Sequence, residues 1–157
     1  MTEALVIEHR TGTTVTIHSS RKNAVDALAA FVEQFWIDEI GEDVEIPSDR
    51  DERINEYFEA VTDEFYVVTE VADGIPAGAD SQNLHATTIF MNGDDAEVTV
   101  HATEEEALDA LCAFVDDWWN DEVGSDVEPP EDRDERINEY FNVAFDAYNI
   151  QPVCLED

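Results

Sequence analysis

At 157 residues the chain is long enough for one ordinary domain or two very small ones. Apolar residues make up 43% of it and aromatics 10%, which excludes a disordered acidic tail, while 40 acidic against 7 basic residues leave a formal net charge of −33. Such a surface repels phosphate and excludes direct nucleic-acid binding; with no long apolar run and no signal-peptide pattern, no membrane association and a cytoplasmic protein are expected.

In chain order, ALVIEH and TVTIH flank the turn-like RTGT and predict a hairpin. A helix follows from near Ser20, with apolar residues at Val25, Leu28, Phe31, Val32, Phe35 and Trp36, and Gly41 stands where a C′ glycine would end it. After a loop with Pro47, Asp49 is a natural N-cap for a second helix, with Glu52 completing a capping box and Ile54, Tyr57, Phe58 and Val61 forming the apolar stripe. EFYVVTEV reads as a closing strand, and ADGIPAGADSQN (72–83) as a linker. The order then recurs. HATTIFM and EVTVH surround NGDD, Thr103 and Glu106 open a helix that Gly124 ends, and Pro129 and Pro130 precede a helix capped by Asp132. AYNIQPVC closes the series.

Shifting the chain on itself by 83 residues explains the recurrence. Residues 25–58 align with 108–141 without a gap, with 24 identities in 34 positions. The sequence therefore predicts an α+β fold made by tandem duplication of a ββααβ unit, with two helices on a small antiparallel sheet in each copy. The expected boundaries are 1–71 for the first repeat, 72–83 for the linker and 84–157 for the second repeat. A unit of this size is marginal alone, so the copies are expected to pack as a pseudo-dimer. The adjacent aromatics Phe35–Trp36 and Trp118–Trp119 allow two arrangements. Either one ring of each pair fills its own core and the other meets the second unit, or both lie in one core.

The decapeptide DRDERINEYF occurs at 49–58 and again at 132–141, letter for letter. It supplies ten identities in ten positions, whereas the other 24 positions of the window supply fourteen. Capping by Asp49 and Glu52, an Asp49–Arg53 pair at i,i+4, and the core residues Ile54, Tyr57 and Phe58 account for six positions. Arg50, Asp51, Asn55 and Glu56 are left over, as are Arg133, Asp134, Asn138 and Glu139. Four of the six arginines, Arg50, Arg53, Arg133 and Arg136, lie within the two copies. In so acidic a chain each is expected to engage a carboxylate bidentately, in a network joining this helix to the first helix or to the other unit. These ten residues form a candidate interaction or inter-repeat surface.

With Lys22 as the one lysine and acids filling both halves, the composition resembles that of proteins from extremely halophilic archaea. That resemblance implies a salt-rich cytoplasm and loosely bound hydrated cations, and no activity. No HExxH, EF-hand loop, Walker A or GxGxxG pattern occurs, so no catalytic residue, metal site or cofactor is expected. His18 and His101 read as capping or packing residues at strand ends, and Cys112 and Cys154 as small buried residues, a disulfide being the lesser option. The expected function is a non-enzymatic protein–protein interaction module, binding a protein partner or self-associating. The alternative is an inhibitor that mimics a nucleic acid and occupies the basic groove of a DNA- or RNA-binding protein. In size, acidity and lack of catalytic motifs the chain resembles anti-restriction and anti-CRISPR proteins. The carboxylates that would stand in for phosphates are Asp38, Glu39, Glu42, Asp43 and Glu45, with Asp121, Glu122, Asp126 and Glu128 in the second half.

Overall fold

The β-branched and apolar run Ala4–Ile7 alternates two buried pairs across its pleat, and this sets the first sheet. A computed structural model describes residues 1–91 and 95–157, a mixed α+β chain with four helices, a four-stranded sheet and a three-stranded sheet. It divides into two compact units, residues 1–70 with 155–157, and residues 71–154.

In the first unit β1 (Glu3–His9) and β2 (Gly12–His18) form an antiparallel hairpin, in register from Glu3↔His18 to His9↔Gly12. α1 (Arg21–Glu39) and α2 (Arg50–Ala60) follow, and β3 (Phe65–Glu70) returns antiparallel to β1. Leu5 and Ile7 project to the helices and share a core with Leu28, Val32, Trp36, Ile54 and Tyr57. Ala4, Val6, Val15 and Ile17 lie on the opposite pleat and are buried too, so the sheet is apolar on both faces.

The second unit runs β4 (Leu84–Met91), β5 (Asp95–His101), α3 (Glu104–Trp119), a π-helical turn at Asn120–Gly124, α4 (Arg133–Val143) and β6 (Ala147–Val153). β4 is central, antiparallel to both β5 and β6. Residues 92–94 of the expected NGDD turn lie outside the described residues. Ile89, Leu111, Val115, Trp119, Ile137 and Tyr140 make the helix-side core.

Part of the outer edge of each hairpin is covered by a short parallel pairing. In the first unit β7 (Leu155–Glu156), which sequence reading gave to the second repeat, pairs with Ile17 and His18. In the second, Ala72 from the expected linker bridges Thr99 and donates its N–H to Val98 O at 2.9 Å. Both pairings cover backbone groups that an open edge would expose.

Helix boundaries follow local chemistry. Ser20 and Thr103 accept the N–H groups of Asn23 and Glu106, and Glu106 Oε2 in turn accepts Ala102 N–H at 3.0 Å. Gly41 and Gly124 adopt φ of +120° and +122°, a region closed to most side chains, and there the chain leaves the helical path. Of the aromatic pairs, Trp36 and Trp119 are buried in their units' own cores. Phe35 packs partly buried against the first core, and Trp118 remains 47% exposed.

Candidate interaction surface

The decapeptide spans the N-cap and first turns of α2 and of α4. Asp49 Oδ1 accepts the N–H groups of Asp51 (3.1 Å) and Glu52 (3.0 Å), and Asp132 accepts that of Glu135 (3.0 Å). Acidic residues in both first turns favour the positive end of the helix dipole. Ile54 and Tyr57, with Ile137 and Tyr140, turn into the cores.

The arginines tie each helix to the one before it, but not by the expected bidentate fork on one carboxylate. Each carboxylate is met by a single guanidinium nitrogen, while other N–H groups reach loop carbonyls or a second acid. Arg50 donates to Asp26 on α1 at 2.9 Å and to Asp51 at 3.0 Å, and Arg133 donates to Glu105 at 2.7 Å and Asp109 at 3.0 Å on α3. Hydrogen bonds from Lys22 and then Arg50 hold the Asp26 carboxyl below its usual range. Arg53 pairs with Glu33 on α1 and donates to the carbonyls of Pro47 (3.1 Å) and Ser48 (3.3 Å). Arg136 repeats this pattern on Asp116 (2.8 Å), Pro130 O (2.8 Å) and Glu131 O (3.4 Å). The expected Asp49–Arg53 pair does not form. Asp49 is occupied by backbone N–H groups, and the guanidinium fork reaches two loop carbonyls and a carboxylate at once.

Asp51, Asn55, Glu56, Asp134, Asn138 and Glu139 are exposed. Asp51 and Asn55 border a cleft of about 230 Å³ over Val25, Leu28 and Ile54, which Arg21 and Tyr66 also line. Glu56 borders a shallower recess beside Trp36, Ile40 and Val44. The expected capping box of Asp49 with Glu52 does not close, and the Glu52 and Glu135 side chains are exposed at the first turn without a hydrogen bond among the described residues. Each decapeptide otherwise has an inward side committed to the cap, clamp and core, and an outward side of three polar side chains. Of these, Asp51 and Asp134 also pair with the adjacent arginine.

The carboxylates proposed to stand in for phosphates sit on a second shared feature. Asp38 and Glu39 end α1, and Glu42, Asp43 and Glu45 lie in the loop beyond it. Asp121 and Glu122 belong to the π turn, and Asp126 and Glu128 to the loop that follows. Glu39 pairs with Arg10, and the other eight are exposed. Trp36 Nε1–H bonds Val44 O at 3.1 Å and Trp119 Nε1–H bonds Val127 O at 2.8 Å, pinning both loops to the cores. Sequence reading missed these pins, although each tryptophan stands eight residues before its acceptor. Exposed acids are not confined to these loops, since Asp26, Asp51, Asp63, Glu70, Asp95, Glu97, Glu104 and Asp134 lie on other elements.

Tyr57 O–H donates to the buried Glu64 at 2.9 Å, and Tyr140 O–H to Asp146 at 3.4 Å. Burial, then the neighbouring carboxylates, push both phenols well above the usual tyrosine range. His18 is buried with Nε2 2.8 Å from Thr16 Oγ1, and His101 stands 2.9 Å from Thr99 Oγ1. Burial lowers both imidazole pKa values, against smaller opposing effects of Glu156 and Glu106. Cys112 and Cys154 are free thiols. Among the described residues no cluster of three or more His, Cys, Asp or Glu side chains is arranged to hold a metal ion, and no helix is long and apolar enough to cross a membrane. No family model matches the chain, and neither a curated protein nor a solved structure similar to it was found.

Proposed function

We propose that the chain is a tandem duplication of a ββααβ unit, its copies packed as a pseudo-dimer, acting as a non-enzymatic protein–protein interaction module in the salt-rich cytoplasm of a halophilic archaeon. The observation that carries the binding role is the outward side of the decapeptide. Asp51, Asn55 and Glu56 recur as Asp134, Asn138 and Glu139, exposed in both copies. Helix caps, the arginine clamp and core packing account for the inward residues. Asp51 and Asp134 also pair with the adjacent Arg50 and Arg133, whereas Asn55, Glu56, Asn138 and Glu139 make no side-chain hydrogen bond or ion pair among the described residues. Exposed polar residues retained without a structural duty are the usual material of a binding face. The duplication is supported by 24 identities in 34 positions and by arginine clamps at matching positions. Cleavage between Val71 and Ala72 in a chain ending at Cys154, so that neither parallel pairing links the fragments, tests the pseudo-dimer: the two fragments should elute together at 2 M KCl, and separate elution would refute it.

The test of function is affinity purification at 2–3 M KCl from a halophilic host, comparing the native chain with one carrying alanine at all six outward positions. A partner held by the native chain and absent from the variant is expected. The same partner on both would overturn the assignment of this face.

The acidic loops support a second reading. With Trp36 and Trp119 anchoring them, carboxylates such as Glu42, Glu45, Asp126 and Glu128 are presented by loops fixed at one point, as a nucleic-acid mimic would need. A mimic predicts that the captured partner is a DNA- or RNA-binding protein, released by competing nucleic acid.

A further inference from the structure

The second unit contains a groove of about 480 Å³ between the segment that follows β3, the strand β5 and the helix α3. Its volume falls within the range of roughly 300–1,000 Å³ usual for small-ligand sites. Ala110, Ala113 and Phe114 on α3 supply apolar lining, joined by Pro76. Asp73, Glu97 and Asp117 also line it, and none of these three carboxylates is ion-paired among the described residues. Thr99 and His101 complete the polar lining and are hydrogen-bonded to each other.

The 83-residue shift distinguishes what is shared from what is particular to this copy. Ala27, Ala30 and Phe31 match the apolar lining, and Thr16 and His18 match the Thr–His pair. At the charged positions the first copy has Thr14 in place of Glu97 and Gln34 in place of Asp117. Two of the three carboxylates are therefore particular to the second copy.

We propose that this groove binds a guanidinium group, the arginine side chain of a basic peptide segment on a protein partner. The apolar lining matches the aliphatic stem, and the three carboxylates match the charge and the donors of the head. Molar salt favours guanidinium over ammonium. Long-range attraction is screened within about 3 Å at 1 M, so direct contact decides. Guanidinium is the less strongly hydrated cation, stacks on aromatic faces such as that of Phe114, and binds carboxylates in a bidentate fork, whereas ammonium resembles the K⁺ that competes with it. The proposal deepens the interaction-module reading but uses none of the outward decapeptide residues, so the two fail separately.

The test titrates the full chain at 2 M KCl with acetyl-Gly-Arg-Gly-amide, and with its lysine and citrulline counterparts, following the amide resonances of Thr99 and Ala113 by NMR. Saturable one-to-one shifts with the arginine peptide are expected, with at least tenfold weaker binding of the other two. Glu97→Gln with Asp117→Asn should weaken arginine binding at least tenfold. A control of equal net charge, Glu52→Gln with Glu59→Gln, should leave it unchanged, as should alanine at the six outward decapeptide positions. Shifts that rise linearly without saturating, equal responses to arginine and citrulline, or equal binding by the groove variant and the control would each overturn the proposal. Ala113→Leu, at an exposed position in the groove, should also block binding, and retained binding there would count against the site.

Discussion

Replacing Arg53 with lysine keeps the charge and removes the fork, which isolates the clamp from simple electrostatics. The Arg53 side chain is 12% exposed and joins Pro47 O, Ser48 O and the Glu33 carboxylate. A lysine ammonium satisfies one of these three, so at least one loop carbonyl loses a charged donor, a hydrogen bond of about 1.5–3 kcal/mol. The ion pair with Glu33, itself 54% exposed, adds less than about 1 kcal/mol. The expected loss is about 2 kcal/mol, roughly thirtyfold in the folding equilibrium, and Arg53→Ala should cost more. Urea unfolding at constant 2 M KCl, followed by circular dichroism, gives the shift in midpoint. Hydrogen exchange of the α2 amides gives a local reading, because losing the clamp frees the entry to that helix. A change below about 0.3 kcal/mol for Arg53→Lys would refute the reasoning and make the arginine an ordinary surface charge.

Other outcomes follow from the same contacts. Both tyrosine pKa values are raised in the folded chain, so their contribution is complete below pH 10, the unfolded value, and is lost as the pH rises beyond it. Tyr57→Phe with Tyr140→Phe should flatten the alkaline fall in the urea midpoint, and an unchanged slope would contradict the burial argument. His18 and His101 have lowered pKa values, so they bind protons more readily unfolded, and their contribution, present above about pH 6.5, is lost as the pH falls through the folded values. His18→Gln should reduce that acid sensitivity, measured by the same titration. Gly41→Ala places a Cβ at φ +120° and should cost about 1 kcal/mol or more, whereas equal stability would mean that the turn relaxes freely. Lowering KCl from 2 M to 0.1 M should lower the urea midpoint as 40 acidic residues lose their screening, and an insensitive midpoint would remove the case for salt adaptation.

Features fixed by nearby residues were the legible ones. The N-caps at Ser20, Asp49, Thr103 and Asp132 and the glycines after the first helix of each unit depend on a few residues of local chemistry, and the helices begin and end close to them. Features decided across the fold were harder to read. The parallel pairing of Leu155 and Glu156 with Ile17 and His18 joins the two ends of the chain, and no local pattern announces it. Arg53 illustrates the same limit, because its i,i+4 partner was the nearest acid in sequence while packing offered it better acceptors. Burial on both faces of the first sheet was hinted at only by the unbroken apolar run Ala4–Ile7. At the candidate surface, composition singled out the arginines and repetition singled out the decapeptide. Helical spacing already set Asp51, Asn55 and Glu56 apart together with Arg50, and only the packed helices move Arg50 and Arg133 to the inward side.

The central claim is that the decapeptide divides into an inward structural side and an outward binding side. The most direct measurement takes a variant with alanine at Asn55, Glu56, Asn138 and Glu139, which leaves the first-turn acids in place, and records its urea midpoint at 2 M KCl alongside the partner it retains. An unchanged midpoint with the partner lost is the predicted result. A lowered midpoint, or an unchanged midpoint with the partner still bound, would contradict the account.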